Sequence, residues 1–220
     1  MKARRLGVCG GSFDPVHFGH LRPALEVAEE LALDAVHMIP LHGAVHRRQP
    51  HASPQQRLAM LRAALRGQSL LRADDREIRR GGSSYMVDTL QSLRDEAPAA
   101  HLHLLLGADA FAGFASWREP ERILALAHLV VMRRPGSSPA WPEAVARWLA
   151  RRQVGDPAGL RERAAGGILF VDVTQLAISS TRIRERLRAG YSAAYLTPAA
   201  VSAMMEEQNL YREHGPAETG

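Results

Sequence analysis

The 220-residue sequence has one cysteine, one lysine and no long apolar run, and these shortages exclude several classes of protein. A lone cysteine, Cys9, cannot form an intramolecular disulfide, and its apolar neighbours predict a buried, inert thiol. No apolar run approaches the roughly 20 residues of a membrane helix, and the N-terminus lacks the pattern of a secretory signal. We therefore predict a cytoplasmic protein with no membrane partner.

The formal net charge of +5 comes almost entirely from arginine, because Lys2 is the only lysine. The arginines occur singly or in short pairs such as Arg133-Arg134, and they form no long basic tract. A positive charge suits anionic substrates, whereas nucleic-acid binding usually needs a concentrated basic patch. We therefore expect small anionic substrates and no nucleic-acid partner.

Apolar runs typical of strands alternate with helical patterns along the chain. The strand-like runs occupy residues 5–9, 35–40, 101–106, 128–132 and 168–171. Residues 70–79 are predicted as an edge strand or a loop. Helical spacing lies between these runs, as at Leu21, Leu25 and Ala28. Because such alternation gives parallel pairing through right-handed crossovers, we predict an α/β fold: a Rossmann-like, open, mainly parallel sheet with helices on both faces.

The length of the chain fits one α/β domain better than two. We expect a single domain over residues 1–212. Residues 135–167 are rich in proline, glycine, serine and arginine, and are predicted as a surface excursion of that domain. Residues 213–220 are predicted as a mobile tail.

Two helix starts can be predicted from local signals. Ser53-Pro54-Gln55-Gln56 combines a capping box with proline at the first helical position. Ser83 or Ser84 is predicted to cap the helix that follows.

The first strand leads into the turn Gly10-Gly11-Ser12-Phe13-Asp14-Pro15-Val16-His17-Phe18-Gly19-His20. Glycines let backbone amides approach an anion closely, and the N-terminus of the following helix is positive. His17 and His20, three positions apart, can share one helical face. This turn is predicted to handle phosphate groups, with His17 and His20 as catalytic donors.

A second candidate anion site, Ile178-Ser179-Ser180-Thr181-Arg182-Ile183-Arg184, follows the last predicted strand and opens a helix. The hydroxyls and free amides of its first turn are expected to face outward, with Arg184 one turn further on as a third catalytic residue that binds phosphate oxygens. Taken alone, an ordinary N-cap with an exposed arginine would be the favoured interpretation of these residues. Both sites are expected on the same rim of the sheet.

The string Gly-x-Phe-x-Pro-x-His-x-Gly-His resembles the signature of the nucleotidyltransferase superfamily, whose members transfer a nucleotidyl group and release pyrophosphate. A phosphate nucleophile with a second pKa of about 6 is already ionised at neutral pH, so the chemistry needs no general base. It needs donors that hold the reactants in line and neutralise growing charge. The cofactor expected is Mg²⁺, held mainly by ATP phosphates and not by protein ligands.

The middle of the chain resembles bacterial nicotinate-mononucleotide adenylyltransferases, from about residue 5 to residue 211. The shared marks are Gly-Gly-Ser-Phe-Asp-Pro-Val-His, Arg57-Leu58-Ala59-Met60, Ser84-Tyr85-Met86-Val87-Asp88-Thr89-Leu90, Gly107-Ala108-Asp109 with Trp117 downstream, Arg134-Pro135-Gly136 and Tyr195-Leu196-Thr197-Pro198. The resemblance implies adenylyl transfer from ATP to nicotinate mononucleotide, giving deamido-NAD and pyrophosphate in NAD biosynthesis.

The resemblance also implies which residues bind each substrate. Trp117 would stack on the nicotinate ring, and the segment Ser84-Tyr85-Met86 would receive its carboxylate through backbone donors. Asp109, beside Gly107, would bind nucleotide ribose hydroxyls. The full set expected to bind ATP is Gly11, Ser12, Phe13, His20, Gly107, Asp109, Ser179, Ser180, Thr181 and Arg184.

Two positions differ from the family pattern. The family often has Pro-Pro-His and a basic residue where this chain has Ala44-Val45-His46-Arg47, so Arg47 is expected to meet the mononucleotide phosphate. Threonine is common in the family at the position of Met86, where only the backbone donor remains.

Several alternatives stay open. They are an adenylyltransferase for nicotinamide mononucleotide or another phosphorylated acceptor, such as a phosphopantetheine adenylyltransferase, and a non-catalytic ATP-binding sensor. A class I aminoacyl-tRNA synthetase is disfavoured, because the chain is too short for a tRNA-binding apparatus. The sequence leaves open whether the protein forms a homo-oligomer.

Overall fold

A computed structural model describes residues 3–45, 49–136 and 140–212. The strands are β1 (Arg5–Gly11), β2 (Ala35–Pro40), β3 (Leu71–Ala73), β4 (His101–Gly107), β5 (His128–Arg133) and β6 (Ile168–Asp172). Within the described residues these strands form one open sheet in the order β3-β2-β1-β4-β5-β6, and every neighbouring pair is parallel.

Helices connect the strands. They are α1 (Phe18–Glu30), α2 (Pro54–Ala64), α3 (Arg76–Arg80), α4 (Met86–Glu96), α5 (Ala108–Ala112), α6 (Pro120–Leu126), α7 (Glu143–Arg152), α8 (Pro157–Arg161), α9 (Ser180–Arg188) and α10 (Ala199–Glu207), with a 3₁₀ helix at Phe114–Ser116. None of the helices in the described ranges combines the length and apolar character needed to span a bilayer.

Two buried clusters cover the two faces of the sheet. On one face pack α1, α2, α9 and α10, through side chains such as Val27, Met60 and Val201. On the other pack α4, α5, α6 and α7, through Leu90, Phe111 and others. The predicted Rossmann-like fold with helices on both faces is confirmed.

The strand order changes direction at the middle of the sheet. β1 pairs with β2 on one side and with β4 on the other, so the chain reverses its winding direction between β1 and β4. In open parallel sheets, ligands bind outside the carboxyl ends of the strands at this reversal. The turn after β1 and the residues after β4 both lie at that point.

Two local predictions need correction. Only Leu71–Ala73 of residues 70–79 is a strand, at the sheet edge as expected, because Asp74 accepts from the Arg76 amide at 3.0 Å and turns the chain into α3. The N-cap of α4 is Tyr85, and neither predicted serine caps it. Ser84 Oγ instead accepts from the backbone amide of His42 at 2.9 Å. The predicted capping box at Ser53 is confirmed.

Two histidines lie in the core at the amino ends of β4 and β5. His103 is 4% exposed and His128 is fully buried, and their ring centroids are 5.2 Å apart. Burial lowers the pKa of His103 to about 4, and burial followed by the neighbouring His103 lowers the pKa of His128 to about 3. Both rings are neutral at pH 7.

We expect these histidines to make folding sensitive to acid. Their folded pKa values lie below the unfolded value of about 6.5, so the unfolded chain binds more protons between about pH 4 and 6.5 and stability falls as the pH decreases. Below pH 6, the free energy of unfolding of His103→Leu should therefore fall by about 1 kcal/mol less per pH unit than that of the wild-type protein. Urea unfolding of both proteins at pH 7.5, 6 and 5 measures how steeply this free energy depends on pH. Equal pH dependence in the two proteins would show that His103 is not the source of the acid sensitivity.

Candidate active site

The turn between β1 and α1 brings the two predicted histidines into contact. His17 is the N-cap of α1, and His20 lies in its first turn. Their rings stack with centroids 3.7 Å apart, and the His17 amide donates to His20 Nδ1 at 3.3 Å. A neutral imidazole carries one proton, so an accepting Nδ1 places that proton on Nε2. His20 therefore has an Nε2–H donor available for a ligand.

Both rings are neutral in the free protein. Burial lowers the pKa of His17 to about 4, while burial and then the neighbouring His17 lower the pKa of His20 to about 3. A bound polyphosphate would raise both values, because a nearby negative charge favours the protonated form. The pair can thus donate hydrogen bonds to phosphate without carrying charge beforehand.

Gly19 makes this packing sterically feasible. A Cβ atom at this position would lie 3.0 Å from His17 Nδ1 and 3.3 Å from the Ile178 carbonyl oxygen. The absence of a side chain therefore lets the His17 ring and the segment preceding α9 approach the same point.

The N-terminal half of α9 is hydrogen-bonded to the β1–α1 turn. Ser180 Oγ donates to the Pro15 carbonyl at 2.9 Å, and Arg184 Nη1 donates to the Asp14 carbonyl at 2.6 Å. The hydroxyls of α9 therefore do not all face outward as predicted, because that of Ser180 is directed into the turn. The structure brings the two sequence motifs together across 165 to 170 residues of chain.

The remaining motif residues of α9 shape its first turn. Ser179 is the N-cap, and its hydroxyl accepts from the Arg182 amide at 3.2 Å. Thr181 Oγ1 accepts from Arg184 Nη2 at 3.2 Å. The bond to Thr181 orients the Arg184 guanidinium along the start of the helix.

Two buried nitrogen atoms of this site have no hydrogen-bond partner within the described part of the chain. They are His17 Nδ1 and Arg184 Nε. Buried polar groups are normally paired, so these two nitrogens could donate to a ligand or accept from one. Arg5 Nε, His103 Nδ1 and His128 Nε2 are likewise unpaired within the described residues, away from this site. His17 Nδ1 and Arg184 Nε both belong to the residues predicted as catalytic.

The carboxyl ends of the other strands extend the site. Gly107 and Asp109 are exposed at the end of β4, next to β1 in the sheet. A cavity of about 540 Å³ lies beyond the ends of β5 and β6, lined by Glu26, Arg134, Pro135, Asp172, Val173, Thr174, Gln175 and Ala177. Its lining is mixed, with charged and polar side chains beside Pro135, Val173 and Ala177.

Comparison with known proteins identifies the family. The model for Cytidylyltransferase-like proteins matches residues 8–186. The chain is 47% identical over 210 residues to a Pseudomonas syringae pv. tomato protein named "Probable nicotinate-nucleotide adenylyltransferase", covering 95% of this chain and 94% of that one. The chain belongs to the nicotinate-nucleotide adenylyltransferase family. A Methylococcus capsulatus protein of the same name is 46% identical over 207 residues, covering 94% and 99% of the two chains.

Solved structures show the same fold. The Plasmodium falciparum nicotinic acid mononucleotide adenylyltransferase complexed with NaAD superposes with a TM-score of 0.72, covering 94% of this chain and 97% of that chain. The two sequences are 15% identical. At that identity the similarity concerns the fold alone.

The segment expected to bind the acceptor of an adenylyltransferase adjoins the same turn. Tyr85 is the N-cap of α4 and Met86 its first residue. A Cβ atom on Gly10 would lie 2.6 Å from Met86 Cε, so the methyl group of Met86 contacts the end of β1. Ser84, through its bond to the His42 amide, ties this segment to the loop after β2.

Trp117 is half-buried just after the 3₁₀ helix, and its ring packs against Phe114 with centroids 5.5 Å apart. The adjacent Arg118 guanidinium lies 4.5 Å from the ring centroid of Tyr85. Trp117 and the start of α4 therefore border the same part of the molecule. Arg47, the other predicted acceptor contact, lies outside the described residues.

The three turn residues predicted to bind ATP differ in exposure. Ser12 is exposed and Gly11 half-buried, whereas Phe13 is only 1% exposed. The Phe13 ring meets the His20 ring edge to face, with centroids 5.2 Å apart. Phe13 thus supports His20, and only its backbone is suited to contact a nucleotide.

Three residues that organise this site were not predicted from the sequence: Asp14, Arg57 and Tyr211. Arg57 is 1% exposed and donates to the Ser12 carbonyl at 2.8 Å and to the Leu41 carbonyl at 2.7 Å. Tyr211 donates to Asp14 Oδ1 at 2.7 Å. Asp14 and Arg57 stand within marks of the family resemblance, which was the available signal, but no periodic pattern reports their contacts.

Proposed function

We propose that this protein transfers the adenylyl group of ATP to nicotinate mononucleotide, giving deamido-NAD and pyrophosphate. The observation that carries the proposal is the meeting of two helix N-termini, α1 and α9, at one turn. There His17 Nδ1 and Arg184 Nε are buried without partners among the described residues. Helix N-termini bind phosphate groups. The names of its relatives at 45–47% identity support the choice of substrates.

The ATP pose that we propose follows the rim of the sheet. The triphosphate lies over the β1–α1 turn, where the Gly11 and Ser12 amides, the His20 Nε2–H group and Arg184 donate to it. The ribose lies over Gly107 and Asp109, and the adenine occupies the cavity beyond β5 and β6, which has apolar walls at Pro135, Val173 and Ala177. Ser179, Ser180 and Thr181 shape the α9 terminus, which faces the phosphates.

In the proposed reaction, a phosphate oxygen of the mononucleotide attacks the α-phosphorus of ATP. A new P–O bond forms, the bond between the α-phosphorus and the bridging oxygen breaks, and pyrophosphate leaves with the electron pair. The nucleophile is already ionised, so no side chain has to remove a proton. His17, His20 and Arg184 stabilise the charge on the α-phosphate and on the leaving group.

The metal ion that we propose is Mg²⁺, and the side chains of the site indicate how it would be held. Among the described residues no three histidine, cysteine, aspartate or glutamate side chains are grouped to hold a metal ion. The side chains at the turn are hydrogen-bond donors, which suit phosphate oxygens. Mg²⁺ bound to ATP would therefore take its ligands mainly from phosphates and water, and would supply neutralising charge.

Product analysis tests the proposed function. The purified protein with Mg-ATP and nicotinate mononucleotide should form one dinucleotide for each pyrophosphate, identified by mass spectrometry and chromatography. ATP binding with no dinucleotide formed would contradict enzymatic transfer. ATP hydrolysis without a dinucleotide would contradict the acceptor assignment.

Trp117 provides a test of the acceptor site. Replacing it by alanine should raise KM for nicotinate mononucleotide about tenfold, because base–aromatic stacking is worth about 1–3 kcal/mol, and should leave KM for ATP nearly unchanged. The matched control is Trp148→Ala, because Trp148 also contacts Phe114, at 5.2 Å between centroids, but extends from α7 to Glu121. An unchanged mononucleotide KM in Trp117→Ala would reject the assignment.

A further inference from the structure

Four segments of the chain meet around the carboxylate of Asp14. It is buried, with 2% of the residue exposed, in the β1–α1 turn. Oδ2 accepts from the His51 amide at 2.8 Å, and Oδ1 accepts from the Ala52 amide at 3.0 Å and from the Tyr211 hydroxyl at 2.7 Å. Arg184 Nη1 lies 3.7 Å from Oδ2, beyond hydrogen-bond distance. The turn, the loop before α2, α9 and the segment after α10 all meet here.

Tyr211 reaches this carboxylate from the far end of the chain. It lies 197 residues from Asp14 in sequence, and its ring packs against the core beside α10. Its backbone has a φ of 65°, a left-handed conformation that tyrosine rarely adopts. The left-handed Asn209, with a φ of 50°, ends α10 in the usual way for asparagine.

The hydrogen bonds that Asp14 accepts determine which acceptor is left for the Arg184 guanidinium. A carboxylate offers about four lone-pair positions, and two amides and one phenol occupy three of them. His51 Nδ1 stands 3.5 Å from Oδ2, and Arg188 Nη2 lies 3.0 Å from His51 Nε2. With the carboxylate thus satisfied, Arg184 donates to the Asp14 carbonyl oxygen and not to the carboxylate, and its Nε keeps no partner among the described residues.

Loss of the Tyr211 hydroxyl would leave the Asp14 carboxylate with fewer hydrogen-bond donors. Oδ1 would keep one amide donor while its charge stays buried, and an under-bonded buried carboxylate favours a closer cation. The buried Arg57 also faces this carboxylate, but its guanidinium is held by the carbonyls of Ser12, Leu41 and Ala52. Arg184, 3.7 Å from Oδ2, is therefore the cation that can move closer, and a bidentate pair with Asp14 is the geometry that guanidinium groups favour. Arg184 would then turn away from the position proposed for the phosphates.

We propose that Tyr211 is a positioning residue, whose hydroxyl satisfies the Asp14 carboxylate so that Arg184 stays free to bind the ATP phosphates. This inference rests on the proposed adenylyl transfer only for the role given to Arg184. It assigns to the segment after α10 a direct influence on phosphate binding.

Tyr211→Phe tests the inference, because it removes one hydroxyl and keeps the ring. In the full-length protein we expect kcat to fall about tenfold and Mg-ATP affinity to weaken about tenfold, the size of one charge-assisted hydrogen bond. KM for the mononucleotide should not change. The matched control is Tyr191→Phe, which removes a hydroxyl from a tyrosine that is 62% exposed and should leave every parameter unchanged.

A double-mutant cycle separates positioning from plain structural support. In an Arg184→Met background, Tyr211→Phe should cause no further loss of Mg-ATP affinity or kcat, because no guanidinium remains to be drawn away. Equal losses in both backgrounds, or wild-type ATP affinity in Tyr211→Phe, would overturn the inference.

The two readouts keep this inference distinct from the proposed function. If the wild-type protein turns over no acceptor, the proposed function fails, while calorimetric Mg-ATP affinities still decide the role of Tyr211. If turnover is normal and the cycle is additive, only the role of Tyr211 fails.

Discussion

Replacing His20 by alanine is expected to lower kcat about 100-fold or more, the loss typical of one transition-state hydrogen-bond donor. The reason is geometric. His20 Nδ1 accepts from the His17 amide, so Nε2–H is the donor left for the α-phosphate. KM for the mononucleotide should change little, because the ring is proposed to act on charge that develops during transfer. Steady-state kinetics at saturating Mg-ATP, with thermal unfolding in parallel, measure both effects.

Two further variants sharpen this test. His20→Gln should keep more activity than His20→Ala, because the glutamine amide can present a donor. His101→Ala is the control: His101 is the first residue of β4, at the end of the strand opposite to the site, and this variant should keep normal kcat. A folded His20→Ala protein with near-normal kcat would remove His20 from the mechanism.

Replacing Arg57 by methionine is expected to lower the free energy of unfolding by about 3 kcal/mol or more. The guanidinium donates to the carbonyls of Ser12, Leu41 and Ala52, and all three would lose a partner, that of Ala52 in a fully buried place and the other two in part-buried ones. Methionine keeps the aliphatic volume, so the cost reports on these hydrogen bonds more than on packing. Urea unfolding at pH 7.5 gives the difference.

Arg62→Ala is the control for this prediction. Arg62 lies on the same helix, but its side chain is 59% exposed and pairs with Asp75 at 3.1 Å. Exposed ion pairs contribute about 0–1 kcal/mol. Similar losses for the two variants, or a loss below about 1 kcal/mol for Arg57→Met, would show that the buried guanidinium does not hold the loops together.

The elements that could be predicted from the sequence are those with a local cause. Alternating strand and helix patterns defined the sheet, and the Ser53 capping box with proline at the first helical position defined the start of α2. The β1–α1 turn was identifiable because its glycines, histidines and proline lie within eleven residues. In each case, neighbours in sequence set the geometry.

The features that escaped prediction depend on contacts between distant segments. Asp14 and Tyr211 are 197 positions apart, and Arg57 reaches Ser12 across 45. Such bonds leave no periodic trace in the sequence. The strand predicted over residues 70–79 is too long for a related reason. The chain turns into α3 at Asp74, whose carboxylate is hydrogen-bonded to Arg76 and to His37, 37 residues earlier in the sequence.

Acceptor-dependent pyrophosphate release is the most direct test of the central claim. The purified protein would be given Mg-ATP with nicotinate mononucleotide, nicotinamide mononucleotide or phosphopantetheine in parallel. We expect fast release with nicotinate mononucleotide, slow release with its amide and none with phosphopantetheine. Equal rates with the acid and the amide would contradict the acceptor specificity, and no release with any of the three would contradict the proposed function.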